Sequence, residues 1–251
     1  MAKNEIAKLE EAGVPSVIDF DADAGSGFEE ADQASYAIPF LKVLQSMSPQ
    51  VKKSDGAYIK GAEEGDFYNT VTNSVMKGDE GITIVPCHYR RTILEWTAPL
   101  NEGGTFAGSH NAVEGDILMA QTTRTDRGNE LPNGHILTDN REHYCIIVNP
   151  DGTFEPVLMA LTSTQIKKSK KWMTMMNNIT LKSGAIAPMY SQMYKLTTTP
   201  ETSDQFSWFG VKIERIGPVQ SAALYEAAKK FKEMIRSGVA KADMTSETEP
   251  F

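Results

Sequence analysis

Closely spaced turn residues divide much of this chain into short segments. Five turn-forming stretches read SDG, KGDEG, NEGG, PNG and NPDG, at residues 54–56, 77–81, 101–104, 132–134 and 149–152. Glycine, asparagine, aspartate and proline favour turns because each suits backbone angles or local hydrogen bonds that other residues rarely provide. The intervening segments, such as GITIVPCHYRRTILEW, GDILMAQTTRT and REHYCIIVN, are rich in β-branched and aromatic residues. This pattern predicts a series of strands that forms a small barrel or a curled sheet.

Two later segments predict helices. In STQIKKSKKWMTMMNNITLK, residues 163–182, apolar side chains recur at helical spacing, and Ser163 or Thr164 is a suitable N-cap. A second helix is predicted from 219 to 237, with Gly238 as its terminator. Its predicted apolar face consists of Ala223, Ala227, Phe231 and Ile235. We therefore expect a β-rich α+β fold with an OB-like barrel core of five or more strands, an inserted basic helix and a C-terminal helix.

The charge distribution divides the chain into three parts. The net charge is −8, but residues 1–34 carry two lysines against nine acids, and residues 241–251 carry one lysine against three acids. The region 35–240 is left with 22 bases and 21 acids. We interpret 1–34 as a mobile acidic N-terminal arm, 35–240 as one OB-like nucleic-acid-binding domain and 241–251 as an acidic C-terminal tail.

Motifs for enzymatic chemistry are missing from the sequence. There is no GxxxxGK[ST], GxSxG or HExxH motif, and the four histidines are scattered. The two cysteines, Cys87 and Cys145, have no partner at metal-ligand spacing, which favours a reducing compartment. There is no long apolar run and no secretory signal. We expect a cytoplasmic protein that is not an enzyme, does not enter a membrane and carries no metal or cofactor.

Aromatic residues interleaved with bases suggest binding to single-stranded nucleic acid. Base stacking on an aromatic ring is worth about 1–3 kcal/mol, and lysine and arginine neutralise phosphates. On a strand, alternation puts Tyr89 and Arg91 on one face and Arg90 and Trp96 on the other. The candidate contact residues are Tyr89, Arg90, Arg91, Trp96, Tyr144, Lys167, Lys168, Lys170, Lys171 and Trp172. A structural interpretation is also open, because tryptophans commonly pack in cores and a lysine run is often a solvated face.

The last residues form a polar segment with acids and an apolar end. VAKADMTSETEPF contains no base after Lys241 and closes on Pro250 and Phe251. A phenyl ring beside a carboxylate is a compact ligand for an apolar pocket rimmed by lysine or arginine. The segment resembles the C-terminal tips of bacterial and phage single-stranded DNA-binding proteins, although it is less acidic than they are. This resemblance implies partner binding through Glu247, Glu249, Pro250 and Phe251, and competition of the tail with DNA for the core.

These observations lead to one functional expectation with two rivals. We expect sequence-tolerant single-stranded DNA binding in phage replication or recombination, with the tail recruiting replication or recombination proteins. A homodimer is compatible with the sequence. The first rival is a structural or assembly protein of the virion, for which a β-rich core with acidic ends is also ordinary. The second is a nucleic-acid-processing enzyme, such as a nuclease that uses carboxylates.

Overall fold

A computed structural model describes residues 22–23, 26–30, 37–204 and 206–238. Its strands are β1 Leu41–Val43, β2 Phe67–Asn69, β3 Val75–Met76, β4 Ile82–Trp96, β5 Phe106–Asn111, β6 Thr123–Thr125, β7 Gly128–Glu130, β8 Ile136–Val148, β9 Phe154–Thr162, β10 Gln192–Thr202 and β11 Ser207–Pro218. Its helices are α1 Ala112–Met119, α2 Ile166–Asn177 and α3 Ala222–Arg236. The N-terminal arm lies mostly, and the C-terminal tail entirely, outside the described residues.

The long antiparallel pair β4 and β8 forms the centre of the larger sheet. These strands pair from Thr83 with Val148 to Trp96 with Ile136. At one end of the pair, β10 adds to β4 and β9 adds to β8, and at the other end β5 adds to β4 and β7 adds to β8. The strands β1, β2 and β3 form a smaller antiparallel sheet.

The fold is β-rich and α+β, as the sequence predicts, but its described strands form open sheets. The larger sheet runs from β11 at one edge to β6 at the other, with no closure between them. The OB-like barrel is therefore not confirmed. The turn signals predicted the strands, but the pairing of strands distant in sequence decides whether a sheet closes.

Two helices cover opposite faces of the central strands. Cys145 and Ile147 of β8 belong to a core cluster with Trp172 and Met176 of α2. Tyr144 and Ile146 belong instead to a cluster with α3, whose buried residues are Leu224, Ala228, Phe231 and Ile235. Successive strand residues point to opposite faces, so β8 can supply both cores.

The helix predictions are confirmed in position and corrected in detail. A 3-10 turn over Ser163–Gln165 precedes α2, and neither Ser163 nor Thr164 caps it. Phe231 and Ile235 lie on the apolar face of α3 as predicted, and Ala227 packs against the same core, but Ala223 is exposed and Leu224 and Ala228 are buried instead.

The segment GDILMAQTTRT, expected to be a strand, is instead divided between the end of α1 and β6. Asn111 explains the difference. Its side chain accepts hydrogen bonds from the amides of Val113 and Glu114, which makes it the N-cap of α1.

Candidate nucleic-acid interface

Arg90 is partly exposed and binds a buried carboxylate on the α3 side of the sheet. Its Nε donates to Glu142 at 2.8 Å, and its guanidinium carbon lies 5.3 Å from the centre of the Tyr144 ring. Thr92 and Tyr144 also donate to Glu142, at 2.7 and 2.8 Å. Glu142 is only 2% exposed, so the charge of Arg90 compensates a buried carboxylate. Burial raises the pKa of the Tyr144 phenol, which stays protonated and donates to Glu142.

Arg91 lies on the opposite face, where two carboxylates bind it. Its Nη2 is 2.7 Å from Asp116 and 3.1 Å from Asp139. Hydrogen bonds that the Arg91 guanidinium donates to these two carboxylates raise its pKa. The neighbouring Tyr89 hydroxyl accepts from Arg141 at 3.0 Å. The positive charge of Arg91 is thus already compensated within the protein.

Three aromatic residues predicted to stack on bases are core residues instead. Tyr144 and Trp172 are fully buried, and Trp96 is 5% exposed. Trp172 stacks on the His143 ring at 4.6 Å between centroids, and Trp96 packs edge-on against Phe106. A base cannot reach these rings in the folded protein, so we correct this part of the prediction.

The four lysines of α2 are divided by the helix. Lys167 and Lys168 line a groove of about 810 Å³, which we call the basic groove. Lys170 and Lys171 are exposed and lie outside its lining. The structure therefore brings only two of the ten predicted contact residues into this groove. Residues around a helix point in different directions, so a lysine run cannot face one ligand as a whole.

The basic groove contains functional candidates that sequence analysis missed. Arg124 and Arg127 reach it from the β6–β7 hairpin, and Trp208 reaches it from β11. Arg127 is bound by Glu130 at 2.7 Å and by Glu102 at 3.2 Å, whereas Arg124 is exposed and has a long contact of 3.4 Å to the Asn129 amide oxygen. The two arginines of TRTDRGN, placed around a short hairpin turn, were the available sequence signal.

A second groove, of about 550 Å³, adjoins the first; we call it the apolar groove. Ser163, Thr164 and Trp208 line both grooves. Its rim includes Met47 and Phe206, which are 67% and 71% exposed. Ser163, at the junction, adopts a positive φ of 47°, which is uncommon for a residue with a side chain. The two grooves thus form a continuous path past the Trp208 side chain.

Two glutamine side chains hold β11 against this path. Gln45 accepts from the Phe209 amide at 2.8 Å and donates to the Phe209 carbonyl at 3.0 Å. Gln165 accepts from the Val211 amide at 3.2 Å. Unpaired backbone groups at a sheet edge can form hydrogen bonds with another strand. On the edge strand β11, glutamine side chains bind these groups instead. These hydrogen bonds fix β11, and β11 in turn positions Trp208.

The described residues offer no alternative metal centre or membrane segment. Within them, no group of three or more histidine, cysteine, aspartate or glutamate side chains is arranged to hold a metal ion. None of the described helices is both long and apolar enough to cross a bilayer. Cys87 and Cys145 are buried and free, without a disulfide.

Comparison with known proteins identifies the family of the chain. Neither the curated proteins nor the solved structures contain a match. A protein-family comparison matches residues 5–241 to the family described as Pam3 phage gp34-like protein. That match covers nearly the whole chain, including both grooves. The chain therefore belongs to the Pam3 phage gp34-like protein family.

Proposed function

We propose that this phage protein binds single-stranded DNA along the basic groove during replication or recombination. The observation that carries the proposal is the placement of Arg124, Arg127, Lys167 and Lys168 in one groove with the Trp208 ring. Cations that follow a groove beside an aromatic platform are the usual means of binding a single strand without sequence preference. The groove lies between two hairpins and a helix, so the proposal does not depend on a closed OB barrel.

The charge balance of the groove supports a polyanionic ligand. Its lining carries four bases against two acids, Asp139 and Glu201. Asp139 is already bound by Arg91 and Arg141, and Lys167 has no ion pair among the described residues. We propose phosphate contacts at Arg124 and Lys167 and base stacking at Trp208, with the adjoining apolar groove able to take a base.

The acidic tail is a second part of the proposal. Its residues Glu247, Glu249, Pro250 and Phe251 lie outside the described structure, and their proposed role is recruitment of replication or recombination proteins. Support comes from their chemistry alone, because acids steer an encounter with a basic partner and a phenyl ring fits an apolar pocket.

The proposal is tested by fluorescence anisotropy of labelled oligo-dT over a range of salt concentrations, with a duplex of equal length as control. The double variant Arg124→Ala/Lys167→Ala should bind more weakly than the wild type. Its plot of log affinity against log salt should be shallower by about 1.4, since each lost phosphate contact on a single strand contributes about 0.7.

Lys170→Ala/Lys171→Ala is the matched control, because it removes the same charge from exposed positions outside the groove. Its affinity should stay close to that of the wild type.

Trp208 is half-buried while Trp96 and Trp172 are buried, so quenching of intrinsic fluorescence by DNA should be lost in Trp208→Phe. Equal losses in the two double variants, or no single-strand binding at all, would refute the assignment.

A further inference from the structure

The Glu201 carboxylate occupies a cluster of hydrogen-bond donors in the basic groove. Lys168 Nζ donates to its Oε1, and Trp208 Nε1 donates to its Oε2 at 2.9 Å. Gln165 Nε2 contacts Oε2 at 3.4 Å. Partial burial acts to raise the pKa of the Glu201 carboxyl, but these hydrogen bonds outweigh burial and lower it. An anion is therefore stable at this position.

The backbone leaves room for this cluster at Gly210. A Cβ placed there would lie 2.4 Å from Lys168 Nζ and 2.7 Å from the Glu201 carboxyl carbon, closer than real contacts allow. The donors come from the N-terminal end of α2 and from β11, while the carboxylate comes from β10. Three donors with different chemistry thus converge on a single anion.

The carboxylate is accessible from the groove. The side chains of Lys168 and Glu201 are 24% and 25% exposed, and both line the basic groove with Lys167 and Arg124. Glu201 lies near the end of β10 and pairs with Trp208 of β11, in a hairpin whose tip includes the exposed Phe206. An incoming anion can therefore approach the donors from solvent.

We propose that Lys168, Trp208 and Gln165 form a phosphodiester site that Glu201 fills in the free protein and leaves when a nucleic-acid strand binds. This inference rests on the function proposed above. A phosphate oxygen presents the same kind of acceptor as a carboxylate oxygen and can accept from the same ammonium and indole groups. Glu201 then lowers affinity for the strand, because its bonds must break before the phosphate can bind.

A double-mutant cycle between Glu201 and Lys168 tests this exchange with labelled oligo-dT. Glu201→Gln keeps the shape of the side chain and should tighten binding by about 3- to 10-fold at low salt, since charge-assisted hydrogen bonds no longer compete. Lys168→Met should change affinity little in the wild type, because the lost phosphate contact and the lost Glu201 contact offset each other. In the Glu201→Gln background the same change should weaken binding several-fold.

Glu214→Gln is the control for removal of one negative charge. Glu214 lies on β11 and is paired with Lys212, outside the basic groove. Thermal melts establish that each variant is folded before its binding is compared. If the wild type binds the strand but Glu201→Gln matches Glu214→Gln, or if the two effects in the cycle add, the anion exchange is wrong while the proposed function stands. If neither the wild type nor Glu201→Gln binds, the proposed function fails, and the exchange fails with it.

Discussion

At the scale of single residues, the polar side chains of β4 and β8 show which charged groups stabilise the fold and which remain candidates for contact with a ligand. Glu142 is 2% exposed and accepts hydrogen bonds from Arg90, Thr92 and Tyr144. A buried carboxylate is tolerable only when it is paired and hydrogen-bonded. Arg90 is therefore needed as the partner of the buried Glu142, although a strand of alternating basic and aromatic residues suggests a surface for phosphates.

Replacement of Arg90 should affect stability more than binding. Arg90→Ala should lower the free energy of unfolding by about 2 kcal/mol, because Glu142 loses its partner while partial exposure lets water reach the site. Urea unfolding followed by tryptophan fluorescence measures the loss. Oligo-dT affinity of the folded variant should be unchanged, whereas Arg124→Ala should weaken binding and leave stability intact. The reverse pattern would place Arg90 at the interface.

His143 should make the protein sensitive to acid. It is fully buried between Ser169 and the Trp172 ring, and desolvation lowers its pKa from 6.5 to about 3. Because the native state favours neutral histidine, its contribution is complete above about pH 6.5. It is lost progressively as the pH falls towards 3, by up to about 1.4 kcal/mol per pH unit.

Urea midpoints measured from pH 7 to pH 4 for the wild type and His143→Gln test this dependence. The wild type should lose stability faster than the variant as the pH falls. Carboxylates titrate in both proteins, so the difference in slope isolates the histidine. Parallel curves for the two proteins would contradict the assignment.

At the scale of elements, the close approach of α1 to the sheet explains why this helix contains a glycine. Gly115 lies in the middle of this short helix, although glycine is a poor helix former. A Cβ at that position would lie 2.2 Å from Cγ1 and 2.6 Å from Cβ of Ile93, which is fully buried in β4. The glycine lets α1 contact the strand at a distance that a side chain would prevent.

Gly115→Ala should therefore destabilise the protein, contrary to helix propensity. In an exposed helix this change gains up to about 1 kcal/mol, but here overpacking should cost about 1–3 kcal/mol. Val113→Ala, on the exposed side of the same helix, serves as the control and should stay within about 0.5 kcal/mol of the wild type. Thermal and urea unfolding measure both. A stabilised Gly115→Ala would mean that the helix does not press against Ile93.

At the scale of the whole molecule, charge is separated between the ends and the domain. The region 35–240 is nearly neutral overall and places four bases in the basic groove, while the excess acids lie in residues 1–34 and 241–251. Acidic segments joined to a basic groove compete with a polyanion through their high local concentration. Such competition weakens with salt, as surface electrostatics do.

Removal of residues 241–251 should tighten oligo-dT binding at low salt by several-fold. The segment contains Lys241 against Asp243, Glu247 and Glu249, so its loss removes a net charge of −2. Anisotropy titrations of the full and shortened chains measure the change, and a chain with these three acids replaced by their amides separates charge from length. Equal affinity of all three proteins at low salt would exclude competition by the tail.

The sequence alone determined much of the secondary structure and the charge separation. Turn residues and β-branched runs predicted the strands, and apolar spacing predicted α2 and α3, because both depend on local backbone preference and periodicity. Where a single cap decided the outcome, as at Asn111, the local pattern predicted a strand and was wrong.

Only the tertiary structure decided which side chains are available to a ligand. Trp96, Tyr144 and Trp172 look like the half-buried Trp208 in sequence, yet they are buried because strands and helices from distant parts of the chain cover them. Arg124, Lys167 and Trp208 meet in one groove although they are separated by about 40 residues each in sequence. The periodicity of apolar side chains predicts which residues share a face of one helix or strand, whereas packing between elements distant in sequence determines what covers that face.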